Sequence, residues 1–65
     1  MTSNDIVKRM IYLRKKRGWS QRKLAIEAGL PPYTISRIEH FKNNWNCKTM
    51  DKINNVLGGT VYGYM

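Results

Sequence analysis

Residues 20–40, SQRKLAIEAGLPPYTISRIEH, decide the fold of this chain. Within them, the spacing of Ile35 and Ile38 places both side chains on one face of a helix. Ala25 is small enough to let a second helix cross closely, and Gly29 can adopt the positive φ of a tight turn. The stretch therefore predicts two short helices that meet at a tight turn.

The second of these helices is expected to run from about Pro32 to Glu39 or His40. Proline at the first helical position costs no hydrogen bond, because its missing N–H would be unpaired there in any case. With the two isoleucines directed inward, three polar side chains are left facing outward: Tyr33, Ser36 and Arg37.

A further helix is predicted on the N-terminal side, over residues 4–17, with Asn4 or Asp5 as its cap and Gly18 at its end. Its basic last turn suits the negative end of the helix dipole. Its expected apolar stripe is Ile6, Met10 and Leu13, widened by Val7 and Ile11.

A fourth helix should begin after the cap Asn46 and end at Gly58 and Gly59. Its expected buried stripe is Cys47, Met50, Ile53 and Leu57 or Val56. In the tail TVYGYM, Gly63 weakens any fifth helix. The sequence thus predicts an all-α fold of four to five helices in one domain, residues 1–65, with the helix-turn-helix at about residues 21–40.

Charge is the strongest compositional signal. Twelve Lys and Arg against four Asp and Glu give a formal charge of +8 and a pI of about 10.1. Such a field favours polyanions, with nucleic acid ahead of anionic membrane. No apolar run is long enough to cross a bilayer, and one Cys and one His cannot form a metal cluster. We expect no cofactor, no small-molecule ligand and no membrane association.

The residues resemble the helix-turn-helix domains of the lambda repressor/Cro class, which occur in phage repressors, restriction–modification controllers and antitoxins. The similarity extends over about residues 6–61. It rests on an ordered set of positions: Ile6, Met10, Leu13, Arg14, Gly18, Ser20, Gln21, Leu24, Ala25, Gly29, Ile35, Ser36, Ile38, Glu39, Thr49, Lys52, Ile53, Leu57 and Gly58. Two prolines in the turn, and Phe41 where a glycine is common, depart from the family pattern.

The resemblance implies that the start of the third helix reads bases in double-stranded DNA. Transferred by position, the base-reading residues are Pro32, Tyr33, Ser36 and Arg37. The expected phosphate-binding residues are Gln21, Arg22, Lys23, Arg14, Arg17, Lys42, Asn43, Asn44 and Lys48. Arg37 could instead be a solvated charge or a partner of Glu39.

A homodimer on a palindromic operator is expected. Because the core of the domain is small, association of the two copies only on DNA is an alternative to a dimer that forms in free solution. The candidate dimer contacts are Phe41, Trp45, Val61, Tyr62 and Tyr64. The leading functional hypothesis is a Cro-like transcriptional repressor of phage type, acting in the cytoplasm of a bacterial or phage-infected cell at the nucleoid.

Other functions fit the sequence less well. An antitoxin or restriction–modification controller would use the same helix-turn-helix unit, but an antitoxin often has an extra segment for its partner. A basic surface binder of RNA or membrane is disfavoured because the apolar stripe of the first helix is needed for the core. An enzyme is not expected, because the sequence places no nucleophile and base together.

Overall fold

A computed structural model describes residues 3–42, 45–59 and 61 of the chain. This part of the chain forms four helices and no strand, so the expected all-α fold is confirmed. In chain order the helices are α1 (Ser3–Lys16), α2 (Gln21–Glu27), α3 (Thr34–Phe41) and α4 (Cys47–Val56). Any fifth helix would fall outside the described residues.

All four helices contribute to one apolar core. Its buried members are Val7, Met10, Leu24, Ala25, Ile35, Ile38, Met50, Ile53, Leu57 and Val61. Helices of 7 to 14 residues are marginal in isolation, so this shared burial is what holds them. Truncating one of the large core side chains to alanine typically costs about 2–5 kcal/mol.

The N-terminal helix differs from the expectation in two ways. It begins at Ser3, so Asn4 and Asp5 lie inside its first turn and the prediction that one of them caps it was wrong. Asp5 still favours the helix by lying near the positive end of its dipole. The core-facing stripe is also rotated, because Val7 is fully buried whereas Ile6 is only partly so.

The chain turns sharply between α2 and α3. Ser20 caps α2 as predicted, its Oγ accepting a hydrogen bond from the Lys23 N–H at 3.0 Å. At the other end, the Leu30 N–H donates to the Ala25 carbonyl at 2.8 Å, which closes a Schellman-type turn around Gly29. Gly29 has φ +72°, a value that favours a residue without Cβ, as the sequence predicted.

A second turn, made by the two prolines, leads into α3. The Thr34 N–H donates to the Pro31 carbonyl at 3.0 Å, and Tyr33 has φ −86° and ψ −6°. These values match a type I turn with Pro32 at its second position, where proline is favoured. The prediction that Pro32 starts the helix was therefore wrong: the bond spans three residues rather than four, and α3 begins at Thr34.

The C-terminal helix is capped as predicted, with the Thr49 N–H donating to Asn46 Oδ1 at 2.8 Å. Met50 and Ile53 are buried, but Cys47 is exposed, so the prediction that it joins the stripe was wrong. Cys47 is the first helical residue and is exposed, whereas Met50 one turn further on is fully buried. After α4, Val61 returns to the core.

Candidate nucleic-acid interface

The outward side of α3 carries the polar residues that the sequence singled out. Ser36 and Arg37 are exposed, and the Tyr33 side chain just before the helix is 59% exposed. Ile35 and Ile38, on the other side, are buried. Because an α-helix turns about 100° per residue, this alternation leaves a continuous polar surface on one side of α3.

His40 extends the same surface by one turn. It is exposed and lies four residues after Ser36, a spacing that makes the two neighbours on a helix. Its ring meets the Phe41 ring edge to face, with centroids 4.7 Å apart. His40 was not among the candidate site residues predicted from the sequence, although its spacing of four from Ser36 was a usable signal.

A nearly buried polar network lies along the inner edge of α3. Arg14 Nε donates to Glu39 Oε2 at 2.8 Å, and Arg14 Nη2 donates to Glu39 Oε1 at 3.1 Å. Gln21 Nε2 donates to the same Oε1 at 2.9 Å, and Arg14 Nη1 donates to the Trp19 carbonyl at 2.8 Å. The side chains of Arg14 and Glu39 are only 9% and 11% exposed.

This network joins α1, the start of α2, and α3. A bidentate Arg–carboxylate pair fixes both the distance between the two groups and their relative orientation. The pair therefore helps to set the orientation of α3 on the rest of the domain. Glu39 pairs with Arg14 and Gln21 rather than with Arg37, because residues two apart on a helix do not face each other.

The phosphate contact predicted for Arg14 has to be corrected. Arg14 lies seven residues after Val7 and four after Met10, so it shares their inward face and is only 7% exposed. Its guanidinium is occupied by Glu39 and by the Trp19 carbonyl. The spacing from Val7 could have revealed this, had that residue been taken as the centre of the stripe.

At the start of α2, the residues predicted to bind phosphate differ in exposure and in their partners within the domain. Arg22 is exposed, and Lys23 is exposed with its Nζ 2.9 Å from Glu27 one turn on. Gln21 is half-buried, and its side-chain amide is directed to Glu39. Of these three residues, Arg22 presents the cation that is most readily available to an anion.

Arg17 is exposed and also contacts neighbouring groups of the domain. Its guanidinium carbon lies 5.3 Å from the centre of the Trp19 ring, a cation–π arrangement. Its Nη2 lies 3.3 Å from where a Cβ on Gly58 would be, next to the C-terminal end of α4, where the helix dipole favours a cation. The phosphate contact of Arg17 stays a prediction.

Beyond α3, Lys42 and Lys48 are exposed, as a phosphate role requires. Lys42 ends the helix with φ +65° and ψ −19°, in the left-handed region, and its N–H donates to the Ile38 carbonyl at 2.8 Å. The left-handed position therefore falls on Lys42, one residue after Phe41. Asn43 and Asn44 lie outside the described residues.

The residues predicted to form the dimer contact differ in burial. Phe41 is 53% exposed, whereas Trp45 is half-buried against the core with its Nε1 buried and unpaired. Val61 is fully buried and donates its N–H to Asn54 Oδ1 at 2.9 Å, so the prediction that it contacts a second subunit was wrong. Tyr62 and Tyr64 lie outside the described residues.

The described residues contain no helix that is long and apolar enough to cross a membrane. They also bring together no group of three His, Cys, Asp or Glu side chains that could hold a metal ion.

Comparison with known families agrees with the geometry of α2 and α3. Residues 10–62 match the helix-turn-helix family model HTH_3, which describes DNA-binding domains of the Cro/C1 type. No curated protein and no solved structure matches the chain significantly. Because the family model covers most of the chain, the protein belongs to the Cro/C1-type helix-turn-helix family, a non-catalytic family that binds DNA.

Proposed function

We propose that this protein is a sequence-specific transcriptional repressor of the Cro-like kind. Two copies bind a palindromic operator, and each places α3 in a major groove. The observation that carries the proposal is the exposed polar side of α3, with Tyr33, Ser36 and Arg37, on a helix of the Cro/C1-type family. A helix in the major groove meets base edges that distinguish all four base pairs.

Each residue on this side has a suitable chemistry. Arg37 can donate two hydrogen bonds to guanine O6 and N7, the commonest specific contact. The Ser36 hydroxyl can donate or accept and so can meet several base edges. Pro32 and the Tyr33 ring can pack on a thymine methyl group, and the Tyr33 hydroxyl can reach a base or a phosphate.

Phosphate contacts would fix the register of the protein on the duplex. The proposed residues are Arg22, Lys23, Lys42 and Lys48, which are exposed, and Gln21 through its backbone at the start of α2. Asn43 and Asn44 remain in the proposal on sequence grounds alone. Arg17 is retained because it is exposed, whereas Arg14 is left out because its guanidinium is buried against Glu39.

The dimer would place its two α3 helices about one turn of DNA apart, roughly 34 Å. Phe41 is the described residue best suited to the subunit contact, since it is a large apolar side chain that is 53% exposed at the end of α3. Repression would follow from steric exclusion of RNA polymerase in the bacterial cytoplasm.

Selection of bound fragments from random duplex DNA tests the proposal directly. We expect a palindromic consensus whose half-sites are centred about 10 base pairs apart. Enrichment without any consensus would contradict sequence-specific reading. A consensus without symmetry would contradict the dimer alone.

Sedimentation at micromolar protein, with and without the selected duplex, then tests the stoichiometry. Two protomers per palindrome are expected, and a strictly 1:1 complex would exclude the dimer. Replacing Phe41 with Ser should convert the two-protomer complex to the 1:1 form. Ile26→Ser serves as the control, because Ile26 is as exposed as Phe41 but lies on α2.

A further inference from the structure

The outward side of α1 carries an aromatic ring between two cations. The Tyr12 side chain is 53% exposed. The Arg9 guanidinium carbon lies 5.4 Å from the centre of its ring, and Lys16 Nζ lies 6.0 Å from the same point. The ring therefore restrains both cations, so that less side-chain entropy is lost when an anion binds them.

This surface is turned away from α3. The inner side of α1 holds Val7, Met10 and Arg14, and Arg14 is the residue that reaches α3 through Glu39. Tyr12 lies two residues from both Met10 and Arg14, about 200° around the helix axis, and so faces the opposite way. A duplex held by α3 would not meet Tyr12.

The surface is strongly basic. Lys8, Lys15 and Lys16 are exposed, and the only acid in α1 is Asp5 in its first turn. Elsewhere, Glu39 and Glu27 are paired with Arg14 and Lys23. Much of the excess positive charge of the chain is therefore on α1, outside the surface that α3 offers to DNA.

We propose that the surface from Lys8 to Lys16 is a second DNA-binding surface, which holds the phosphate backbone of a second duplex without regard to sequence. The protein would then bridge two segments of DNA. From Lys8 to Lys16 the helix rises about 12 Å, close to the rise of three or four base-pair steps along the duplex axis. The exposed cations Lys8, Lys15 and Lys16 contact phosphates of this stretch, and the Tyr12 hydroxyl donates to a phosphate oxygen between them.

The contacts favour duplex DNA over two other polyanions. A single strand would bind by stacking a base on the ring, but the cations of Arg9 and Lys16 already lie over it. An anionic membrane would need apolar side chains to insert, but Ile11 and Leu13 are packed against the core.

The two surfaces lie on the outward sides of different helices. Arg14 on α1 contacts Glu39 on α3, so the inner sides of these helices meet and their outward sides can each hold a duplex. At physiological ionic strength the screening length is about 8 Å, which limits the influence of the charges on one surface upon the other.

Capture of one duplex by another tests the proposal. The full chain is bound through α3 to an immobilised duplex that carries the selected operator, and a second, fluorescent duplex of unrelated sequence is added at about 50 mM salt. The paired substitutions Tyr12→Ala and Lys16→Glu should lower capture about tenfold or more, because they remove the hydroxyl and reverse a charge. Their effect on binding to the immobilised duplex should stay within about threefold, since this surface does not face it.

Lys52→Glu is the matched control. Lys52 is also an exposed helical lysine, but it lies on α4, so the same change in net charge should leave capture near the unaltered level. Circular dichroism melting checks that each variant is folded. If the paired variant fails to fold, Lys16→Gln alone, with a smaller expected loss, replaces it.

Three results would overturn the proposal. Undiminished capture by the α1 variant would mean that the two α3 helices of a dimer do the bridging. An equal loss with Lys52→Glu would mean that only net charge matters. Preferential capture of a single strand, or of vesicles containing anionic lipid, would assign the surface to another partner. Because operator selection depends on α3, the repressor proposal would survive any of these results.

Discussion

The two sides of α3 both carry polar and charged residues, but those on the inner side are paired within the domain and those on the outer side are exposed. The inner side pairs Glu39 with Arg14 and Gln21, which together donate three hydrogen bonds to its carboxylate at the edge of the core. The outer side exposes Ser36 and Arg37, and Arg37 forms no ion pair with any described residue. The inner cation stabilises the position of the helix, and the outer cation stays available to a ligand.

The comparison shows that an arginine's role here follows from its neighbours rather than from its type. Arg14 and Arg37 are both arginines on helices of a basic protein. One is 7% exposed and donates to three acceptor atoms, and the other is exposed. Substitutions on the inner side should therefore change stability, and those on the outer side should change DNA binding.

The largest effect is expected on the inner side, from Glu39→Ala. Removing the carboxylate leaves the guanidinium of Arg14 buried without a counter-charge, which typically costs about 3–5 kcal/mol. Chemical denaturation should show this loss, which is a large share of the stability of a 65-residue domain.

The control for this prediction is Glu27→Ala, which breaks the exposed pair with Lys23. Those side chains are 41% and 51% exposed, so the loss should stay within about 0.5 kcal/mol. Comparable losses from both substitutions would show that burial does not distinguish the two pairs.

Next in size is Arg37→Ala on the outer side. It should cost about 1–3 kcal/mol of binding to the selected operator and relax the preference at one base pair. Stability should change by less than about 0.5 kcal/mol, because the side chain is exposed and forms no ion pair with any described residue. Fluorescence anisotropy on operator and random duplexes makes the measurement, and an equal loss on both would show that Arg37 contacts only the backbone.

A smaller effect is expected where α3 ends. Lys42 adopts a left-handed conformation that costs an ordinary residue roughly 1–2 kcal/mol, and glycine avoids most of that cost. Lys42→Gly should therefore raise the free energy of unfolding by about 1 kcal/mol, as measured by chemical denaturation. Lys48→Gly, within the first turn of α4, should lower it instead.

The smallest effect is expected from Arg22→Ala. Losing one phosphate contact should weaken binding to all sequences similarly and reduce the slope of log K against log salt by about 0.9. Between 50 and 200 mM salt, that corresponds to a difference of about three- to fourfold. A salt titration on random duplex provides the test, and an unchanged slope would remove Arg22 from the phosphate contacts.

The sequence alone predicted much of the fold because the deciding signals are local. Ser20 and Asn46 cap their helices through side chains that reach three residues along the chain. The spacing of Ile35 and Ile38 identified the buried side of α3 and hence its outward side. Such patterns depend on helix period and on neighbouring backbone groups, both of which can be read from the chain.

The errors came where the local signal was ambiguous or absent. Proline suits both the first turn of a helix and the second position of a type I turn, and at Pro32 the turn formed. Val61 comes two residues after Gly59, and no apolar residue at helical spacing accompanies it. Nothing in the local sequence therefore indicated that it would return to the core. Cys47 has the spacing of a buried residue but is exposed.

The sequence by itself determined the helices, most of the core and the side of α3 that faces outward. Only the tertiary structure decided which cations are available to a ligand. Arg14, Arg17 and Arg37 cannot be told apart by residue type. In the structure Arg14 forms an ion pair with Glu39, and the Arg17 guanidinium lies over the Trp19 ring. The reason is physical: an ion pair between residues 25 positions apart depends on how two helices pack, and no pattern within either helix specifies it.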